Sequence, residues 1–346
     1  MTHRTLVDGF RMALVLGGGN ALGAYHMGVC EALLARTEPD WVVGCSIGAV
    51  TAAILLGNPP EVRLSRLREF WTETRQGDGP WMAFMPGPVR ARWSNGFGLN
   101  ALLAGRPGLS QPRFPGLLSI LPFMPPDLSL QDHRPLGATL DRLVDWDLLG
   151  DSPVRFSLLA IDLERGEEVW WDNRRDRITA RHVLAATALP PLFPPVELDG
   201  RLLWDGGLGN NLPIDRVLSG DLDGPWLVVA SDLYAPGGDR PRSLDGTITR
   251  AQDLGFSLQA RTRIGTLSRE RELARRADAG APPTILAHLV HRPPAHQRAL
   301  KTLDYSGTTL GERAGQGRAD MESMLPRLAR APRDEPLAVL SLADQG

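Results

Sequence analysis

The pentapeptide Gly44-Cys45-Ser46-Ile47-Gly48 stands between a short apolar run, Trp41 to Val43, and an apolar helix-forming stretch, Ala49 to Leu56. A sharp turn from a buried strand into a helix has room only for small residues beside its central serine, and it lifts that hydroxyl to the helix N-terminus. G-x-S-x-G in this setting predicts a nucleophile elbow at Ser46, supported by Gly44 and Gly48. A serine here could also simply cap the helix after a tight turn. The matching context on both sides, and a glycine loop one strand–helix unit upstream, favour the nucleophile.

That upstream loop is Gly17-Gly18-Gly19-Asn20-Ala21-Leu22-Gly23, between the apolar strand Arg11–Leu16 and a helix over Ala24–Ala35. Glycines let backbone N–H groups approach an anion closely, beside a helix start that favours negative charge. A dinucleotide site would also want an acidic residue at the far end of the second strand. Asp40 lies at the near end, so the dinucleotide reading fits poorly. The other reading is an oxyanion hole, in which the same N–H groups receive a developing negative charge.

Short buried strands alternating with helices over residues 11–76 predict a parallel sheet covered on both faces. The next helix spans Val62 to Thr74, with Leu64, Leu67, Phe70 and Trp71 at helical spacing. Residues 80–135 then hold ten of the 29 prolines and apolar pieces such as Leu117 to Met124. Regular structure is not expected to dominate there, and the apolar content argues for a cap over an apolar pocket rather than disorder. Alternation resumes with strands at 155–162, 168–171, 201–204, 226–231 and 284–290. Helices are expected at 180–188, 214–218, 244–277 and 308–328.

A nucleophilic serine needs a base. Among seven histidines, His288, His291 and His296 follow Ser46 in a workable chain order. They lie in an Arg- and Pro-rich segment and read as solvated. Asp205, in Leu202-Leu-Trp-Asp-Gly-Gly207, ends a strand and is followed by Gly206 and Gly207. A carboxylate there can reach the elbow across the C-terminal edge of a parallel sheet. At its ordinary pKa it is a poor base, so it must be held close and partly desolvated, a raised pKa being one further way to take the proton. Taken alone, Asp-Gly reads more readily as a common turn signal.

Four stretches together carry a resemblance: GGGNALGAYHMGV, GCSIGAVTAA, ATALPPLFPPV (Ala186 to Val196) and WDGGLGNNLP (Trp204 to Pro213). In order and spacing, over about residues 11–235, the chain resembles the patatin-like phospholipases. Gly105-Arg-Pro-Gly108, Pro112-Arg113, Asp304-Tyr-Ser306 and Gly311-Glu-Arg-Ala-Gly315 resemble a bacterial subgroup with a C-terminal extension of unknown role. The resemblance implies a three-layer α/β/α fold with a mostly parallel central sheet. It implies a Ser46–Asp205 dyad without histidine, Gly17–Gly19 as the oxyanion loop, and metal-free, cofactor-free hydrolysis of a lipid acyl ester through an acyl-enzyme. The family often has glycine where Asn20 stands and arginine where Leu22 stands. Loop anchoring and head-group preference therefore do not carry over.

Length and composition bound this reading. At 346 residues the chain has a soft prior of two domains. Ser46 and Asp205 must meet, however, so a catalytic domain over 11–240 is expected, with a cap insertion at about 77–135 and a helical extension over 241–346. The balance of 38 basic and 40 acidic residues gives no field for nucleic acid. Two cysteines, Cys30 and Cys45, exclude a disulfide scaffold and a thiolate zinc cluster. No apolar run approaches the ~18 residues of a membrane span. The expectation is a cytoplasmic protein with a lipid or acyl-ester substrate, touching membranes at most peripherally through 80–135. Oligomeric state stays open. So do an acyltransferase and an acyl-lipid-binding protein on the same fold.

Overall fold

The computed structural model describes residues 5–342 apart from Asp221, Ala295, Arg298 and Ala299. His3 and the last four residues of the expected extension lie outside the described residues. The strands are β1 (Arg11–Leu16), β2 (Trp41–Gly44), β3 (Gln111–Pro112), β4 (Gln131–Asp132), β5 (Arg155–Asp162), β6 (Glu167–Asp172), β7 (Val196–Leu198), β8 (Arg201–Asp205), β9 (Trp226–Asp232), β10 (Thr284–Val290) and β11 (Ala338–Ser341). The helices are α1 (Ala24–Leu34), α2 (Ile47–Leu56), α3 (Arg63–Thr74), α4 (Gly87–Ala104), α5 (Arg134–Leu143), α6 (Trp146–Gly150), α7 (Ala180–Ala186), α8 (Asp215–Leu218), α9 (Leu244–Ala277) and α10 (Gly307–Leu328).

Nine strands form one sheet in the order β11-β10-β9-β1-β2-β5-β8-β7, with β6 also on β5. From β11 to β5 every pairing is parallel. β6, β7 and β8 add an antiparallel margin. The two faces bury different sets of residues, as the period of two requires. Met12, Leu14 and Leu16 join one core with α1, α2, α3 and α10. Ala13 and Val15 join the other, with Ala260 and Leu267 of α9. Helices thus cover both faces, which is the three-layer arrangement expected.

Three expectations need correction. The 80–135 stretch is more regular than its prolines suggest, because α4 runs for 18 residues. Its prolines sit at the helix start, where a missing N–H costs nothing, and Gly105 at φ 70° ends it. The stretch after 240 is not only a helical extension, since the expected strand at 284–290, β10, joins the central sheet and an unforeseen strand, β11, extends it. His288 and His291 are buried rather than solvated. His288 Nε2 meets Asp232 Oδ2 at 3.0 Å, and His291 Nδ1 meets Gln316 at 2.8 Å beneath α10.

Candidate active site

Ser46 lies between β2 and α2 with φ 52° and ψ −122°. A non-glycine side chain at positive φ is strained, and such strain persists only where the surroundings over-determine it. Here the surroundings are tight. A methyl group on Gly48 would lie 2.1 Å from Leu16 O, and one on Gly44 would lie 2.6 Å from Ala49 N. Cys45 N donates to Leu16 O at 3.0 Å, fixing the turn to the end of β1. All ten residues of α2 are buried, so the elbow is held by a helix packed on every side.

Asp205 ends β8, but not in the direction anticipated. β8 is antiparallel to β5 and pairs only with its last residues, Asp205 opposite Ala160 and Leu203 opposite Asp162. The chain enters from beyond the sheet edge and descends. β2 ends at Gly44 opposite Leu158, so Asp205 arrives two residues past that level, beside the elbow.

The Asp205 carboxyl is 1% exposed, and burial pushes it from the usual carboxylate range up to about 6. The Ser46 hydroxyl and the Gly207 amide pull the other way, the amide donating at 2.8 Å. Gly206 packs under Leu159 and leaves no space for a side chain. The Cys45 thiol lies 4.0 Å from Asp205 Oδ1, and burial keeps it protonated.

The three loop glycines have different surroundings. Gly17 N donates to Ser231 O at 3.0 Å, and Gly18 N donates to Asn211 O at 3.1 Å. The amides of Gly19 and Asn20, and that of Ile47 at the start of α2, have no hydrogen-bond partner among the described residues. Behind the loop, His26 Nε2 meets Gly17 O and Nδ1 meets Ser231 Oγ, each at 2.8 Å. A carbonyl only accepts, so Nε2 carries the proton and Nδ1 accepts from the serine. Burial lowers the His26 pKa to about 4, which keeps the ring neutral.

Asn211 links the two halves of the site. Its Nδ2 donates to Gly18 O at 3.2 Å, while its own amide donates to Gln259 of α9 at 3.0 Å. Gln259 in turn donates to Gly207 O at 3.4 Å. None of His26, Asn211, Ser231 or Gln259 is assigned a role by motif reading. His26 falls inside the quoted GGGNALGAYHMGV and Asn211 inside WDGGLGNNLP, which is the one signal that could have pointed to either.

Ser46, Asp205, Gly19 and Gly207 open onto a cavity of about 310 Å³. Its walls are mostly apolar, with Val50 from α2, Leu136 from α5, Phe256 from α9, and Leu189 and Phe193 from the Pro-rich loop between α7 and β7. Ala101, Leu102, Leu109 and Leu130 come from the 80–135 stretch. That stretch is stitched to the Pro-rich loop by Leu130 N to Pro191 O and Gln131 N to Leu192 O, both 2.9 Å. His288, His291 and His296 do not line the cavity. Among the described residues no group of three His, Cys, Asp or Glu side chains is placed to hold a metal ion.

A family model described as patatin-like phospholipase matches residues 14–218. An uncharacterised NTE family protein of Mycobacterium bovis is 27% identical over 268 residues, 76% of this chain and 60% of its own length. A putative patatin-like phospholipase domain-containing protein of Caenorhabditis elegans is 26% identical over 261 residues, 73% of this chain and 19% of its own. The chain thus spans less than two thirds of the length of either relative. Among solved structures, VipD of Legionella pneumophila aligns with 94% of this chain and 71% of its own, at 13% identity and a TM-score of 0.41.

Proposed function

The chain belongs to the patatin-like phospholipase family, and from that premise we propose that it is a serine-dependent lipid acyl hydrolase working through a Ser46–Asp205 dyad. The observation that carries this is the Asp205 carboxyl. It is buried, raised to about 6, and set against a serine at a strained elbow on an apolar cavity. A base with a pKa near the working pH is ionised at neutrality yet retains a useful affinity for the serine proton.

In the proposed reaction, Ser46 Oγ attacks the ester carbonyl carbon and its proton passes to Asp205. The carbonyl oxygen becomes an oxyanion, held by the free amides of Gly19, Asn20 and Ile47. Gly17 and Gly18 serve as the frame, since their N–H groups are already committed. Collapse breaks the ester bond, and the departing alkoxide takes the proton from Asp205. Water then attacks the acyl-serine with Asp205 again as base, releasing the acid and restoring the hydroxyl.

The substrate end of the proposal rests on the cavity and the surface around it. Phe84, Phe114, Ile120 and Phe123 are 89%, 80%, 78% and 97% exposed, and Trp81, Trp93, Leu117 and Leu118 are about half exposed. So much apolar surface on a stretch that also lines the cavity suits contact with a lipid interface. No helix of the described residues is long and apolar enough to cross a membrane.

A fluorophosphonate probe tests the reading. It should phosphonylate Ser46, found by peptide mapping, and Ser46→Ala should lose both the label and ester turnover. Turnover that survives Ser46→Ala overturns the proposal.

A further inference from the structure

Asn20 is held at φ 54°, directly after Gly19 and among the free amides of the loop. Asparagine tolerates this backbone region better than most residues, but not as freely as glycine. The Leu22 side chain is fully buried and apolar, so the only hydrogen bond Leu22 donates to the loop is from its backbone amide to Gly19 O at 3.1 Å. The tether comes from 285 residues away, where the Tyr305 hydroxyl donates to Asn20 Oδ1. Tyr305 is 2% exposed and lines the cavity together with Asn20 and Ser46.

The segment carrying Tyr305 is itself immobilised. Tyr305 O accepts from Gln76 N at 2.7 Å. The Asp304 carboxylate accepts from Ser94 Oγ, from Thr309 Oγ1 at 3.1 Å and from Ser306 N at 3.0 Å. Asp304 O accepts from Arg313 Nη1 at 3.1 Å, and Arg313 is 1% exposed. Its other donors go to Gln297 Oε1 and Lys301 O. The chain's single lysine, Lys301, pairs in turn with Asp253 of α9. So many hydrogen bonds on one short buried segment hold its backbone in one arrangement, with Gln297 Nε2 and Ser306 Oγ left without a partner among the described residues.

We infer that Tyr305 is a positioning residue for the oxyanion amides of Gly19 and Asn20, so that the segment before α10 completes the active site. This rests on the hydrolase reading for its catalytic consequence, but not for the tether itself. Glycine reaches positive φ without help, so the tyrosine should matter only while residue 20 is asparagine.

The test is a cycle of Tyr305→Phe, Asn20→Gly and the double variant, with two readouts. On a soluble p-nitrophenyl ester, Tyr305→Phe should lower kcat by about tenfold with KM within about twofold, the signature of lost transition-state stabilisation. Amide hydrogen exchange over residues 17–22 should speed up by about tenfold or more. In the Asn20→Gly background both effects of Tyr305→Phe should shrink to within about twofold, because the coupling is removed. Unchanged exchange in Tyr305→Phe, or equal losses of kcat in both backgrounds, overturns the inference. Faster exchange alongside turnover that survives Ser46→Ala would instead sink the hydrolase reading and leave the tether standing.

Discussion

His26 Nε2 donates to Gly17 O at 2.8 Å, and this bond fixes the base of the glycine loop from behind. The ring is fully buried and neutral, so the tie does not switch with pH across the physiological range. His26→Phe keeps much of the shape but leaves Gly17 O and Ser231 Oγ without their partner. Each buried unsatisfied group costs on the order of 1–3 kcal/mol. Thermal unfolding should report a loss of about 2 kcal/mol or more, and kcat on a soluble ester should fall while KM moves little.

Asp205 has a stability cost built into it. Its folded pKa is raised, so between about pH 4 and pH 6 the folded state binds more protons than the unfolded state. Stability from this group is therefore present at low pH and falls as pH rises through about 6. Asp205→Asn removes the buried charge and should be more stable than the parent at pH 8, by on the order of 1–3 kcal/mol. The gain should shrink towards zero near pH 4. Denaturant melts at the two pH values check the sign, and a less stable variant at pH 8 would contradict it.

The strain at Ser46 gives a separate expectation. Alanine at that position keeps the unfavourable φ 52°, whereas glycine relieves it. Ser46→Gly should exceed Ser46→Ala in stability by about 1 kcal/mol, both being inactive. Melting temperatures of the pair measure the strain without any substrate.

The exposed apolar surface should matter only at an interface. Burying one phenylalanine in lipid is worth about 1.5–3 kcal/mol, or roughly tenfold or more in partitioning. Polar substitution at Leu117, Leu118, Phe123 and Met124 should lower turnover of vesicle substrate by at least about tenfold. Turnover of a soluble short ester should stay within about twofold. Equal losses on both would show that these residues support the fold rather than a lipid contact.

The legible parts of this molecule were those encoded within a few residues. The elbow, the glycine loop and the Asp-Gly-Gly turn each write their geometry into adjacent small residues, and the buried core strands were equally readable as short continuous apolar runs. Long-range pairs leave no such trace. His26 with Ser231, Asn211 with Gly18 and Tyr305 with Asn20 are ordinary residues until the fold joins them. The direction of β8 was hidden for the same reason, since a strand's sequence does not say which way it runs. In α4, proline density masked a helix whose prolines were all at its start.

The central claim is that Asp205 takes the proton as Ser46 attacks, and the acylation burst with a p-nitrophenyl ester tests it most directly. Followed from pH 4.5 to 9, the burst rate should rise with unit slope to a plateau with a midpoint near pH 6, the value to which burial raises Asp205. Asp205→Asn should abolish that rise and lower the plateau by at least about a hundredfold. A parent profile flat through pH 6, or an Asp205→Asn burst at the parent rate, would contradict the account.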